Sequence, residues 1–219
     1  NEILRYQGLD GAAPGAFIDV FVADGSGGLA GPRGLVFGND QWTGPDSPPG
    51  PAQDGYPELY VASATGSVLR FNGRTGEFVD TFAEIPPPAA PVSLIYQQTF
   101  ARNSPRYNQL TLGNLLVSYD TGIIEEWSGA LASLEAFFDT NFGVFFSPAQ
   151  VEGSMAWGPR VMGDTDPLER QTLYVPDFTT GFVNLVSADR TDLGALVNVT
   201  TAFPGAAPHS LLFKCGRNP

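Results

Sequence analysis

The residues that could support acid–base or metal chemistry in this sequence are few and widely separated. His209 is the single histidine, so no histidine cluster can bind zinc, and only one imidazole is present for proton transfer. Asp164 and Asp166 place two carboxylates in one predicted turn, without the glycine and the further ligands of an EF-hand loop. We expect a solvated turn there, with calcium as the alternative. No G-x-S-x-G motif marks a serine nucleophile, although counting alone leaves a Ser/His/Asp arrangement open.

The charge balance excludes one class of partner. Asp and Glu number 23 against 11 Lys and Arg, which gives a net charge of -12 and opposes binding to polyanions such as nucleic acid. No run of about 18 apolar residues occurs, so membrane insertion is not expected. Cys215 is the single cysteine, which excludes an internal disulfide and leaves either a buried thiol or pairing with another chain. Asn198 begins an Asn-Val-Thr sequon, a glycosylation site if the protein is secreted.

A repeated four-residue segment organises the chain. Each copy has a small residue, a large aliphatic one, a variable apolar one and an aromatic, and the copies begin at Gly34, Ser93, Ser154 and Ser210. The aromatic positions Phe37, Tyr96, Trp157 and Phe213 therefore share one phase, which predicts core packing between repeats. Pro32, Pro91 and Pro208 closely precede three of the copies, as expected where a loop turns into a strand.

Further strands recur in phase with this first one. Predicted second strands lie at 58–61, 114–117 and 172–175, and predicted third strands lie at 68–71, 124–127 and 183–186. A turn containing Gly66, Gly122 or Gly181 separates each pair, which indicates a hairpin. Predicted fourth strands at 77–82, 133–137 and 195–199 complete a unit of four strands. Such a unit is the blade of a β-propeller.

The two ends of the chain supply parts of a blade. Residues 3–6 match 68–71 and residues 15–21 match 76–82, so the chain opens with a third and a fourth strand, and residues 210–213 form a first strand. We predict an all-β propeller of about four four-stranded antiparallel blades in a single domain, residues 1–219. Its parts are the outer strands of a split blade, three whole blades and an inner strand, at 1–28, 29–85, 86–143, 144–203 and 204–219. The alternatives are a four-bladed ring closed by the split blade and a slice of a larger ring.

One string resembles a known repeat family. Gly31 to Gly38, Leu59 to Ser63 and Gly66 to Gly73, followed by Gly76 and Phe78, are similar to NHL-type propeller repeats, including those of secreted bacterial and algal proteins. The resemblance is close in the first whole blade and in the N-terminal half-blade, and elsewhere only the strand skeleton is retained. It implies a propeller fold and an extracellular location. Families with such blades include binding modules and lactonase-like metal hydrolases and lyases, so function depends on the site.

The predicted channel mouth has little chemistry to offer. The residues just before the first strands are Arg33, Val92, Gly153 with Glu152 beside it, and His209. These residues do not supply the six or more oxygens that a hard divalent cation takes. We therefore expect no catalytic residues and no cofactor, and a structural or loop role for His209 with ligand contact as the alternative. Trp42, in an insertion rich in proline and glycine, is the better candidate for contact with a partner.

The sequence therefore favours a noncatalytic extracellular propeller that acts as a binding or structural assembly module. Its partner is expected to be a protein, a carbohydrate or the protein itself. In the last case neighbouring chains complete each other's sheets and form an oligomer or a filament. The alternative is a metal-dependent lactonase-like hydrolase or lyase with its site near Glu152 and His209.

Overall fold

The structure of the protein is a computed structural model, and parts of the chain are described. The described residues are 1–38, 56–85, 87–97, 114–127, 134–136, 155–158, 172–177, 180–187, 192–203 and 208. The chain divides into two compact units, Asn1–Pro91 and Val92–Pro219. Each unit is described by itself, and the single domain over residues 1–219 stays a prediction.

The first unit contains a two-stranded and a four-stranded antiparallel sheet. The short sheet pairs β1 (Ile3–Tyr6) with β2 (Phe17–Val22). The four strands of the larger sheet, which follow one another in space as in sequence, are β3 (Pro32–Phe37), β4 (Leu59–Ser63), β5 (Ser67–Phe71) and β6 (Phe78–Glu84). A 3-10 turn, Ser26–Gly28, lies between the two sheets in sequence.

The second unit contains two four-stranded sheets of the same topology. The strands of one are β7 (Pro91–Gln97), which starts at the unit boundary, β8 (Asn114–Tyr119), β9 (Ile124–Trp127) and β10 (Leu134–Ala136). The strands of the other are β11 (Ala156–Gly158), β12 (Thr172–Pro176), β13 (Phe182–Val186) and β14 (Asp192–Asn198). A short helix, α1 (Val199–Ala202), follows β14. In the described part of the chain no helix is long and apolar enough to cross a membrane.

The predicted four-stranded unit is confirmed in all three large sheets. The glycines expected in the hairpin turns, Gly66, Gly122 and Gly181, all have positive φ angles between 75° and 91°. Glycine adopts this left-handed conformation without the steric cost that a Cβ brings, which explains its recurrence at these turns. The predicted first strand at 210–213 lies outside the described residues.

Each unit has a core cluster that includes residues of both its sheets. In the first unit the buried cluster takes one face of the large sheet and the inner side of β2, with the members Phe21, Val22, Leu29, Leu59, Val61, Leu69 and Phe71. In the second unit a similar cluster joins the two sheets, with the members Leu116, Ile124, Met155, Leu173, Val175 and Val186. Every residue of β4 and β12 is buried, which explains why these strands read as continuous apolar runs.

One expectation about the core is wrong. Tyr96 is 7% exposed and Trp157 packs against the core of the second unit, as their shared phase predicts, but Phe37 is 52% exposed. The reason is that alternate residues of β3 from Arg33 onward lie on an exposed face of the sheet, and Phe37 is one of them. Phe213 lies outside the described residues.

Candidate functional site

The predicted channel-mouth residues are only partly described. Arg33 is exposed on β3 at a β-bulge, since Pro32 pairs with Ser63 and Gly34 pairs with Ala62. Such bulges can redirect a side chain. Val92 is half-buried on β7 and belongs to the other compact unit.

The other predicted site residues add no geometry. Six of them lie outside the described residues: Glu152, His209, Trp42, Cys215 and the calcium candidates Asp164 and Asp166. In the part of the chain that is described, no group of three or more His, Cys, Asp or Glu side chains could hold a metal ion. The channel-mouth site and the hydrolase hypothesis that depends on it stay predictions.

The sequon asparagine has a defined local role. Asn198 is the N-cap of α1: its Oδ1 accepts hydrogen bonds from the Thr201 N–H at 3.2 Å and from the Thr200 hydroxyl at 2.6 Å. Asparagine is among the preferred N-cap residues because its side chain satisfies a helix N–H that has no partner within the helix. The Thr200 hydroxyl, which belongs to the sequon, therefore contacts the side chain of Asn198, the residue that would carry the glycan. Glycosylation itself stays a prediction.

The most distinctive surface is the N-terminal hairpin, β1 with β2. Arg5 and Asp19 are directly opposite each other, and the guanidinium donates two hydrogen bonds, Nε to Oδ1 at 2.9 Å and Nη2 to Oδ2 at 2.5 Å. The hydrogen bond to Arg5 lowers the pKa of the Asp19 carboxyl, and the same bond raises the pKa of Arg5. The guanidinium also lies 4.4 Å from the centre of the Phe21 ring.

The hairpin β5 with β6 repeats these contacts residue by residue. Arg70 is opposite Asp80 and donates a hydrogen bond to its carboxylate, and the Arg70 guanidinium lies 5.9 Å from the Phe82 ring centre. The edge-to-face aromatic contact of Tyr6 with Phe17, at 5.8 Å and 67°, also recurs, at 5.8 Å and 66°, between the rings of the equivalent pair. That pair is Phe71 and Phe78. The two hairpins are therefore the same structural element, used twice.

Their surroundings differ, because β5 has a neighbour that β1 lacks in the described structure. The edge of β5 away from β6 is paired with β4, whereas no described strand pairs with the corresponding edge of β1. The Arg70 side chain is 9% exposed and the Arg5 side chain 43%. Tyr6 is 54% exposed, whereas its equivalent Phe71 is fully buried. The N-terminal hairpin thus has the composition of half a buried sheet, while no strand in the described part of the chain pairs with its inner edge.

Apolar side chains accumulate on this hairpin. The large apolar residues that stay more than a third exposed on its two strands are Leu4, Tyr6, Phe17, Ile18 and Val20. Apolar residues scattered singly on a surface need no explanation, but five on two short adjacent strands mark a contact surface. We call the open edge of β1, residues 3–6, the acceptor edge.

Three side chains of the β8–β9 hairpin in the second unit form a partly buried network of hydrogen bonds. The Trp127 Nε1–H donates to the Tyr119 hydroxyl at 3.1 Å, and that hydroxyl donates to Glu125 Oε2 at 2.5 Å. Burial, followed by the hydrogen bond to the Glu125 carboxylate, raises the pKa of Tyr119 above its ordinary value. Tyr119 lies on β8, and Glu125 and Trp127 lie on β9, so these hydrogen bonds link the two strands of the hairpin.

Sequence reasoning identified the repeated strings but did not pair Arg5 with Asp19. The signal was present, since an arginine on the third strand and an aspartate on the fourth recur together at Arg70 and Asp80. Cross-strand register was needed to bring them together, and the bulges in both hairpins make that register hard to read from sequence.

The comparisons with known proteins agree with the architecture. No protein-family model and no curated protein matches this sequence. The computationally designed Ika4 protein is similar in structure, with a TM-score of 0.52 over 90% of this chain and 88% of that chain, at 8% identity. The chain is accordingly an all-β protein of antiparallel four-stranded sheets, similar in fold to this designed protein.

Two further solved structures show weaker likeness. The computationally designed Ika8 protein gives a TM-score of 0.44 at 9% identity over 86% of this chain and 43% of that chain. A chain of a mitotic checkpoint complex gives 0.41 at 14% identity over 88% of this chain and 48% of that chain. The protein spans less than half the length of these two chains.

Proposed function

We propose that the protein is a noncatalytic extracellular β-propeller with NHL-type blades, and that it acts as a binding and structural assembly module which self-associates. Three four-stranded antiparallel sheets of one topology support the propeller architecture. An apolar cluster that includes residues of both sheets in each unit supports it further. Closure into a ring of about four blades is part of the proposal.

A single observation carries the assembly function: the N-terminal hairpin has the side chains of a buried half-sheet, and no described strand pairs with its inner edge. An exposed strand edge offers unpaired backbone N–H and C=O groups to another strand, and soluble proteins normally block such edges with charge, proline or bulges. The acceptor edge has bulges and one charged residue, Arg5, but Arg5 is paired with Asp19 and its neighbours Leu4 and Tyr6 are exposed apolar residues. The function that fits this arrangement is completion of the sheet by a neighbouring molecule.

Sedimentation velocity over two orders of magnitude in protein concentration tests the proposal. We expect concentration-dependent association that Tyr6→Lys weakens, because lysine on an edge strand opposes pairing. Leu9→Lys is the matched control: it makes the same charge change at a leucine that is 92% exposed in the loop after β1. A chain that remains monomeric throughout would overturn the assembly function, and equal effects of the two variants would assign assembly to another surface.

A further inference from the structure

One asparagine in this chain is followed directly by a glycine, and the pair lies in the turn between β5 and β6. Asn72-Gly73 is the only Asn-Gly pair in the sequence. Asparagine is a heat-labile residue, because the next backbone nitrogen can attack its side-chain carbonyl carbon. A glycine at the next position makes this attack easiest, since it has no Cβ to restrict the backbone. The pair therefore has the greatest intrinsic tendency to deamidate of any asparagine site in the chain.

The reaction needs water and no other reagent. The Gly73 nitrogen forms a bond to Asn72 Cγ and gives up its proton, and the side-chain nitrogen leaves as ammonia. The product is a five-membered succinimide ring. Water then opens the ring at one of its two carbonyl carbons, which leaves either an aspartate or an isoaspartate. In the isoaspartate the side-chain carbons have become part of the main chain. Both products carry one more negative charge at neutral pH.

The folded turn holds the groups that would have to move. Asn72 is 6% exposed; its N–H donates to the Glu77 carbonyl at 2.8 Å, and its C=O accepts from the Gly76 N–H at 2.8 Å. Its Oδ1 accepts hydrogen bonds from the N–H groups of Arg74 and Thr75, each at 2.9 Å. Ring closure draws Cγ onto the next backbone nitrogen, so Oδ1 must leave the two N–H groups that hold it.

The attacking nitrogen is also held, by a second part of the chain. A Cβ built on Gly73 would lie 1.7 Å from the carbonyl oxygen of Pro57, so the backbones at these two residues are in close contact. The Phe37 ring lies beside the same point, at 3.2 Å. The turn is therefore fixed on both sides of the reacting bond, and the reaction depends on how often the turn opens.

A turn of the same kind in the second unit shows which product the fold accepts. After β12, the Asp177 N–H donates to the Phe182 carbonyl at 2.8 Å, and the Asp177 C=O accepts from the Gly181 N–H at 2.9 Å. These contacts have the same spacing along the chain as those of Asn72. Oδ1 of Asp177 accepts from the Thr180 N–H at 3.0 Å, again with the spacing found at Asn72. An aspartate therefore satisfies this turn as an asparagine does.

An isoaspartate does not fit the same turn. It adds one bond to the main chain between the N–H and the C=O that both make hydrogen bonds across the turn. Those bonds require donor and acceptor to lie within a narrow range of distance and angle, so the added length separates at least one pair.

We propose that Asn72 is a deamidation site gated by the β5–β6 turn. The closed turn protects the asparagine, and the opened turn lets it react. The aspartyl chain closes the turn again and differs from the original chain by one charge, whereas the isoaspartyl chain does not restore the hydrogen bonds of the turn. The modification thus records past opening of the first unit. This inference is independent of the proposed assembly function.

The gate is tested with two glycines that have equivalent places in the two hairpins. A Cβ on Gly76 would lie 1.9 Å from the Phe21 carbonyl oxygen, whereas a Cβ on Gly15 meets nothing within 4 Å. Both alanine variants are incubated at mildly alkaline pH, and peptide mapping by mass spectrometry gives the deamidation rate at Asn72. We expect Gly76→Ala to react about thirtyfold faster than Gly15→Ala, the ratio that corresponds to an overpacking penalty of about 2 kcal/mol. Equal rates would overturn the gate.

A second comparison leaves the turn glycines unchanged. A synthetic peptide of residues 67–79 should deamidate at Asn72 about a hundredfold faster than the folded chain, and the chain in concentrated urea should approach the rate of the peptide. Equal rates in the peptide and in the folded chain would show that the turn gives no protection. Asn72→Asp is the control: its peptide should keep a constant mass, and its urea midpoint should match that of the original chain. A large loss of stability in this variant would contradict the fit of the aspartyl product.

The fate of the two products is measured after deamidation in urea. When the urea is removed, size-exclusion chromatography separates compact chains from unfolded ones, and peptide mapping distinguishes aspartate from isoaspartate by retention time. We expect aspartate in the compact fraction and isoaspartate enriched in the unfolded fraction. Equal proportions of isoaspartate in the two fractions would overturn its predicted effect on the turn. Faster reaction at another asparagine in urea would overturn the choice of site.

Discussion

Two glycines in equivalent turns should tolerate alanine very differently. Gly76 precedes β6 and Gly15 precedes β2; each has a positive φ, 76° and 80°, and each donates its N–H to a backbone carbonyl at the start of its turn. A Cβ built on Gly76 would lie 1.9 Å from the carbonyl oxygen of Phe21, whereas one built on Gly15 meets nothing within 4 Å. The N-terminal hairpin packs so closely on the β5–β6 turn that only glycine fits there.

The two costs follow from this geometry. The left-handed conformation costs any residue with a Cβ about 1 kcal/mol, so Gly15→Ala should lose about 1 kcal/mol of unfolding free energy. Gly76→Ala carries the same cost and also forces backbone apart, an overpacking penalty of about 2 kcal/mol, which gives about 3 kcal/mol in all.

Urea unfolding followed by far-ultraviolet circular dichroism measures both variants. We expect the Gly76→Ala midpoint to fall well below that of Gly15→Ala. Equal losses for the two variants would show that β2 does not lie against the β5–β6 turn, and the packing described for the first unit would then be wrong.

Three further predictions use side chains with clear contacts. Arg70→Met should lower the free energy of unfolding by about 2 kcal/mol because it removes the buried partner of Asp80. Arg5→Met should lower it by less, because the Arg5–Asp19 pair is solvated. Chemical denaturation measures both variants, and a larger loss for Arg5→Met would contradict this prediction. Above about pH 10 the unfolded chain loses the Tyr119 proton while the folded chain keeps it, so the free energy of unfolding falls as the pH rises. Tyr119→Phe should make this fall with pH shallower, as measured by urea unfolding at several pH values. The same pH dependence in the variant and the original chain would refute the prediction. Secretory expression should add one glycan at Asn198, which the intact mass would show. The Asn198→Asp variant retains a helix cap and should lack the glycan. The absence of a glycan-sized mass difference between the two chains would exclude glycosylation at Asn198.

Local pattern was sufficient to predict the strands. The four-residue repeat, the largely apolar segments at 58–61 and 172–175 and the turn glycines each have a period or a conformation that the sequence displays. The described strands lie where these signals place them, and the strand predicted at 210–213 stays a prediction. Phe37 was misassigned because phase identifies a strand position and does not show whether a neighbouring sheet covers it.

The candidate site was harder to predict because it depends on what is next to a strand. The strings at 3–6 and 68–71 are nearly the same, yet the first is largely exposed and the second is buried, and β5 has a strand neighbour, β4, that β1 lacks in the described structure. The sequence indicated Arg33 and Val92 as candidates for the channel mouth because each lies just before a predicted first strand. The Arg5–Asp19 pair and the acceptor edge required cross-strand register and exposure, which are properties of the folded hairpin.

Hydrogen exchange at the backbone amides of β1 tests the central claim most directly. Exchange is measured on the same chain at concentrations below and above the onset of association, with the amides of β5 as the internal reference because that strand is paired on both sides. The account predicts that the β1 amides which do not pair with β2 exchange rapidly in the monomer and slow towards the β5 rates in the assembled state. If the chain associates while β1 continues to exchange rapidly, assembly does not use the acceptor edge and the central claim is wrong.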